Sequence, residues 1–457
     1  MCFAKMEPPA RRRHPHGDPH LPSLAIRSIG RRVALVLLGL LLIAFALIGI
    51  LSVFAGTPVS RVRSIGNGSL PEAGDTAFAR TIELYTGMHL LPGNEVQVLL
   101  NGQETYPSLW RDLRGARRAV TMQMYYALPG VVADSALAIL SDKAREGVPV
   151  FLLLDAFGAA PMKGAWVKAL RDAGVLVAWL RPIRWYSLDR ASQRSHVRAV
   201  VVDGEIGYTG GFGLADYWQG DGVSPGAWRE TNVRFRGPAV AQLSATFAAG
   251  WAEATGELLT GAGVGASVAA LAEGAVTAGL MHTIPAGGST PAERYLALTI
   301  VGARRTLYLA NSYFVPDDDF QRFLVDAVRR GVDVRVLTAG DNSDVRTTLY
   351  AGRHRYEPLL AGGVRIYEYQ PSMMHAKTIV VDGVWSSIGT MNFDNRSLAL
   401  NDENTLISLD RGVGARMDAI FMADLRHARE ITLAEWRRRS WGSRLLESTA
   451  DLLSRVL

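Results

Sequence analysis

From about residue 81 onward, short apolar runs alternate with longer stretches whose apolar positions fall three and four apart. These are the periods of strand and helix. The order of the elements then repeats. GARRAVTMQMYY (Gly115–Tyr126) returns as GARRTLYLANSYF (Gly302–Phe314), and ALAILSDKAREGVPVFLLLD (Ala136–Asp155) returns as FQRFLVDAVRRGVDVRVLTAG (Phe320–Gly340). AGVLVAWL (Ala173–Leu180) matches AGGVRIYEY (Ala361–Tyr369). Each repeat reads strand, helix, strand, helix, strand, hairpin. This predicts an α/β fold of two duplicated sandwich domains, 81–256 and 278–428, each a sheet covered by helices. Between them, 257–277 contains the Gly/Ala-rich Gly261–Thr277, which fits neither a dinucleotide fingerprint nor a P-loop and is expected to be a linker with a short helix. Two such units packed about a pseudo-two-fold axis bring equivalent strand ends together.

The flanks follow other patterns. Val33–Ala55 is 23 residues without a charge, long enough to cross a hydrocarbon core as a helix. Lys5, Arg11, Arg12, Arg13, Arg27, Arg31 and Arg32 precede it, whereas only Arg61, Arg63 and Arg80 follow up to position 80. The positive-inside rule predicts an uncleaved transmembrane helix over 33–55 in a bacterial inner membrane, N-terminus cytoplasmic and the rest outside. Val53-Phe54-Ala55 is a tolerable cleavage site, but the apolar run is too long and the leader too extended for a signal peptide. Residues 1–32, rich in Arg, Pro and His, are expected to be disordered, and 56–80 to be a linker. In 429–457, Leu445, Leu446, Leu452, Leu453 and Val456 recur at helical spacing beside Trp436, Trp441 and the basic run Arg437–Arg439. That predicts a basic amphipathic helix, lying on the membrane or docked on the body.

Composition adds limits. With 457 residues and a net charge of +6, the chain has ample core for several domains, and its mild basicity fits an anionic surface without marking a nucleic-acid binder. The only cysteine is Cys2, so the body has no disulfide and no thiolate zinc site. His14, His16 and His20 read as part of a basic tail, not as a metal site.

Candidate chemistry lies where each repeat ends. SHVRAVVVDGEIGYTGGFGLADYW (Ser195–Trp218) and MHAKTIVVDGVWSSIGTMNFDNRSLALNDE (Met374–Glu403) each place a cation two residues after a histidine and Asp-Gly seven residues after it. The sets are His196, Arg198, Asp203 and His375, Lys377, Asp382. The β-branched run between reads as a strand, so histidine and cation share a face. Asp-Gly is the favoured two-residue hairpin turn, with Glu205–Thr209 and Val384–Ile388 as return strands. A histidine beside a fixed cation, twice, suits a phosphate. Asp203 and Asp382 sit at the turn on the opposite face and are expected to be structural.

With these residues the chain resembles the phospholipase D superfamily, marked by a duplicated HxKxxxxD with a downstream G-S-x-N, over about 81–428. The second copy continues Gly389-Thr390-Met391-Asn392, with Thr for Ser. The stretch from Asn392 through Asp394, Arg396, Ser397 and Asn401 to Glu403 is similar to the extended signature of bacterial cardiolipin synthases. The first copy departs twice. Arg198 replaces Lys, keeping the charge and offering a planar fork to two phosphate oxygens. Gly213 stands where the family has Asn, which removes an amide donor and leaves open a decayed first repeat. Glu230, within Trp228–Pro238, corresponds to Glu403.

The resemblance implies exchange at a phosphodiester. One imidazole attacks phosphorus to give a phosphohistidine; the other protonates the leaving alcohol, then takes a proton from the incoming one. Family analogy gives the attack to His196 and the acid/base role to His375. Arg198 and Lys377 would hold the phosphate, with Asn392 and Thr390 donating as well. Glu230 and Glu403 either accept the outer ring N–H of a histidine or are surface acids at strand starts. No metal or other cofactor is required by this chemistry, and no nucleotide is needed because exchanging one phosphodiester for another is close to isoenergetic. The leading expectation is a membrane-bound phosphatidyltransferase that joins two phosphatidylglycerol molecules into cardiolipin and releases glycerol. The alternatives are phospholipase D hydrolysis to phosphatidic acid, an extracytoplasmic nuclease, and a non-enzymatic membrane protein. No nucleic-acid partner is expected, because Asp317, Asp318, Asp319 and Asp341 occupy second-half loops and no cationic track is visible.

Overall fold

The computed structural model describes residues 22–54, 59–65, 70–182, 193–261, 263–264, 269–285 and 288–454. Most of the tail expected to be disordered, with Cys2 and its three histidines, lies outside these. From Pro22 the chain is helical instead: one helix runs Pro22–Phe54. Proline at a first helical position explains the early start, since its missing N–H would have no partner there anyway. Val33, Leu37, Leu41 and Phe45 on this helix are exposed. Among the described residues no helix is long and apolar enough to cross a membrane. This helix is one unit, and residues 55–457 form another.

The strands of the second unit are β1 (Leu91–Leu100), β2 (Val120–Met124), β3 (Val150–Asp155), β4 (Leu176–Leu180), β5 (Ala199–Val202), β6 (Ile206–Gly210), β7 (Thr231–Arg236), β8 (Val276–Thr283), β9 (Thr306–Asn311), β10 (Asp333–Ala339), β11 (Arg365–Tyr369), β12 (Lys377–Val381), β13 (Trp385–Gly389), β14 (Glu403–Leu409) and β15 (Ala428–Ile431). Among the described residues they form one sheet, β15-β11-β10-β9-β12-β13-β14-β8-β1-β7-β6-β5-β2-β3-β4. Outward from the β8–β1 junction, the two arms list corresponding strands in the same order, with β15 as an extra edge. Two separate sheets were expected. One continuous sheet forms because β1 pairs antiparallel with β8 at Leu91–Ala278 and Asn94–Val276, which removes two open edges.

Side-chain alternation builds three layers of core. On β5, Val200 and Val202 face a cluster with Met122 and Leu152, whereas Ala199 and Val201 face the other way. On β12, Ile379 and Val381 join Leu296 and Trp385, and Val380 turns to the opposite side. Val201, Phe235, Leu280, Met374 and Phe421 meet in the same central cluster, so both arms share a core.

Four local expectations change. The 56–80 stretch is not all linker: the Asp75 carboxylate accepts the Ala77 N–H at 2.9 Å and starts a helix at Thr76. Buried Phe78 on that helix meets Trp385 edge-on at 5.0 Å. Among the described residues of 257–275 no helix forms, and β8 begins at Val276. The 429–457 stretch is not one helix. Ala428–Ile431 pairs with β11, and caps at Thr432 and Ser440 start two short helices, Leu433–Arg437 and Trp441–Asp451. The Asp-Gly hairpins carry three-residue loops, with Val202 opposite Ile206 and Val381 opposite Trp385, so the return strands start one residue late. The aspartates take part in this, because the Asp203 N–H donates to the Ala119 carbonyl just before β2 (2.8 Å) and the Asp382 N–H to that of Thr306 at the start of β9 (3.1 Å).

Candidate active site

His196 and His375 lie just before β5 and β12, and each is set by main chain from the other arm. The His196 N–H donates to the Asp402 carbonyl at 2.9 Å, and the His375 N–H to the Arg229 carbonyl at 2.7 Å. The residue after each of those acceptors is a glutamate. The exchange therefore carries Glu403 to His196, with Nδ1 2.9 Å from Oε2, and Glu230 to His375, with Nδ1 2.5 Å from Oε2. Both glutamates are fully buried, so neither is a surface acid. With Nδ1 tied, Nε2 is the ring nitrogen left for chemistry.

Both histidines, Arg198 and Asn392 line one cavity of about 300 Å3, walled by Tyr125, Tyr313, Trp218 and Trp228. Arg198 is buried, donates one N–H to the His196 carbonyl (2.9 Å) and sits 5.5 Å from the Tyr125 ring centre. Its Nε has no partner, nor has the Asn392 Oδ1. A buried donor without an acceptor is costly; a phosphate oxygen would supply one.

Two expected phosphate donors are placed elsewhere. The Thr390 hydroxyl donates to Glu403 Oε2 at 2.5 Å, off the cavity wall. The short side chain at the end of β13 reaches that carboxylate directly. Lys377 stands one layer behind the wall, its ammonium donating to Ser312 Oγ at 2.7 Å and to the His375 carbonyl. Asp203 and Asp382 lie at the hairpin turns with φ of 56° and 54°. The Asp203 carboxylate accepts the N–H groups of Arg117, Arg118 and Ala119, and the Asp382 carboxylate those of Arg304, Arg305 and Thr306. They tie the hairpins to the starts of β2 and β9.

Burial governs the protonation states. It pushes both glutamates up to about 7 and both imidazoles well below the ordinary histidine value, the Arg198 and Lys377 cations adding to the latter effect. Burial also lowers Lys377 to about 7. At 2.5–2.9 Å each histidine–glutamate contact needs a proton between its atoms, so a proton on the far ring nitrogen is an additional one that the pair gains and gives up.

The sequence reading missed Trp218, Trp228, Tyr125, Tyr313 and Asn401. A signal existed for Tyr313: MYY and NSY end the matched β2 and β9 segments and set Tyr313 on Tyr126, which also lines the cavity, and aligned tyrosines at strand ends mark a rim. Asn401, whose amide donates to Glu403 Oε1 at 3.3 Å, gave no signal beyond its place in the second motif.

Residues 296–425 match the family model described as "Cardiolipin synthase, PLD-like domain". A protein named cardiolipin synthase from Geobacillus kaustophilus (strain HTA426) is 34% identical over 369 residues, 80% of this chain and 72% of its own. One named cardiolipin synthase 2 from Bacillus anthracis is 34% identical, covering 79% of this chain and 71% of its own. The crystal structure of phosphatidylserine synthase from Haemophilus influenzae Rd KW20 superposes with a TM-score of 0.64 at 12% identity, covering 83% of this chain and 99% of the other, and so shares the fold. A third of the residues held in common along most of both sequences leaves one assignment: this chain belongs to the cardiolipin synthase family.

Proposed function

We propose that the protein makes cardiolipin by moving a phosphatidyl group from one phosphatidylglycerol to the terminal hydroxyl of another, releasing glycerol. The observation that carries this reading is the pair of histidines on one cavity, each with its Nδ1 held by a glutamate from the opposite arm. In the first step Nε2 of one histidine, His196 by family resemblance, bonds to phosphorus as the bond to the glycerol oxygen breaks. A proton on Nε2 of His375 goes to that oxygen. In the second step His375 takes the proton of the incoming hydroxyl, the new P–O bond forms, and the P–N bond breaks. Arg198 pairs with the non-bridging oxygens, and Lys377 behind it adds positive potential in a dry site where charges act strongly.

The reading extends to origin and place. Matching strand order in the two arms supports duplication, with the proposed halves meeting between 257 and 277. The helix Pro22–Phe54, with exposed leucines and a basic leader, supports a membrane anchor whose apolar run continues to Ala55, N-terminus cytoplasmic and catalytic body outside. The helix Trp441–Asp451 docks through the Arg355–Asp451 ion pair (2.7 Å) while exposing Trp441, Leu445 and Leu446, which suits contact with headgroups.

The test is product analysis with the full chain in phosphatidylglycerol vesicles. Cardiolipin and glycerol in equal amounts are expected. Phosphatidic acid in place of cardiolipin would make the protein a hydrolase, and no lipid product would overturn the reading.

A further inference from the structure

Three departures in the first arm fall on one spot. Aligning His196 with His375 sets Gly211 on Thr390, Gly213 on Asn392 and Trp218 on Ser397. A Cβ on Gly213 would lie 2.7 and 3.0 Å from Trp218 ring carbons and 2.9 Å from the Tyr126 carbonyl oxygen, and one on Gly211 would collide with the Glu230 carboxylate. Neither position has room for a side chain while Trp218 and Glu230 stand where they do.

The indole has a polar task as well. Its Nε1 is 3.3 Å from Glu230 Oε2 and 3.3 Å from His375 Nδ1. An indole N–H only donates, and Nδ1–H is itself directed at Oε2, so both N–H groups converge on one carboxylate oxygen. The matching carboxylate in the other arm, Glu403, receives the Thr390 hydroxyl and the Asn401 amide. Trp218 also packs edge-to-face on the His375 ring at 5.3 Å, and Trp228 and Tyr126 brace it at 4.9 and 5.6 Å.

We propose that Trp218 is the positioning residue of His375. Its indole N–H takes the place of the Thr390 hydroxyl, holding Glu230 ionised so that Glu230 accepts the Nδ1–H hydrogen bond and Nε2 faces the cavity. Gly211 and Gly213 are the room this arrangement requires, not marks of decay. The other groups facing Glu230 are the Thr231 N–H at 2.9 Å, the Tyr106 phenol and the cations Lys377, Arg198 and Arg229, all of which a change at 218 leaves in place. The inference rests on the cavity being a phosphodiester-exchange site, whichever alcohol or water accepts the group.

Trp218→Phe keeps the ring and deletes the donor. On phosphatidylglycerol vesicles kcat should fall about 10-fold or more with KM within about twofold, the usual cost of a hydrogen bond to a charged group. The acid limb of the kcat–pH profile should move up by about one unit, because a carboxylate that loses a donor holds its proton to higher pH. Turnover is scored as whichever product the wild type makes, so a wrong product assignment and a wrong role for Trp218 give different results. Gly211→Thr and Gly213→Asn combined with Trp218→Ser rebuild the second arm's residues, and this triple variant should turn over at least about 10-fold faster than Trp218→Ser alone. A folded Trp218→Phe protein with wild-type kcat and an unmoved acid limb would overturn the proposal. Should Trp218→Phe not fold, the triple variant decides: recovery above Trp218→Ser upholds the role, and its absence ends it.

Discussion

The two arms present the same histidine to the same cavity with different surroundings. In the second arm a lysine rests on Ser312 and that arm's own glutamate, Glu403, is held by a threonine and an asparagine. In the first, an arginine lies against Tyr125, the residue aligned with Ser312, and its own glutamate, Glu230, meets a tryptophan. Compact partners serve one arm and planar, aromatic partners the other. The difference teaches that the substitutions come as sets. Arg198 fits because Tyr125 offers a ring face where serine would leave a gap, and Gly213 fits because Trp218 fills its space. A motif scored position by position counts each change as a loss; the packing shows exchanges.

The strongest test of that equivalence is removal of each histidine. His196→Ala and His375→Ala should each lower cardiolipin formation about 1,000-fold or more, since each step needs both rings. Survival of activity in His196→Ala alone would break the comparison and make the first arm structural. Next come the exchanged acids. Glu230→Gln and Glu403→Gln should each reduce kcat about 100-fold or more, because a neutral amide does not hold the Nδ1–H tautomer. An effect of Glu403→Gln far below that of Glu230→Gln would show that His196 is oriented by other means.

The smallest effect separates the cations. Lys377 is protonated only below its lowered value of about 7, so its charge, and with it kcat/KM, is lost as pH rises past 7. Guanidinium stays charged across this range. Lys377→Arg should therefore stay within about threefold of wild type near pH 6.5 and fall about 10-fold less than wild type between pH 6.5 and 9, the remaining fall being the loss of the His375 proton. A wild-type profile flat to pH 9 would place the needed charge on Arg198 alone.

Local pattern made much of this molecule legible. β-branched runs, the Asp-Gly turns and the twofold recurrence of GARR segments located β2, β3, β5, β9, β10 and β12, because period-2 alternation and turn chemistry act over neighbouring residues. The join of β1 to β8 was not legible, since any exposed edge pairs with any other until the fold decides. The exchanged pairing was also hidden: His196 meets a residue 207 positions away, and the sequence marks both glutamates without saying which histidine each serves. The role of Thr390 was misread because a hydroxyl beside a phosphate-binding motif looks like a phosphate donor until Glu403 is seen beside it.

The crossed glutamates also govern when the protein becomes reactive. Each imidazole is oriented only after the last strands of the opposite arm have closed onto it, so a chain still being made carries two histidines and no nucleophile. A chain with either arm misfolded cannot place the glutamate that the other arm's histidine needs. Completion of the fold is thus the switch that arms the enzyme.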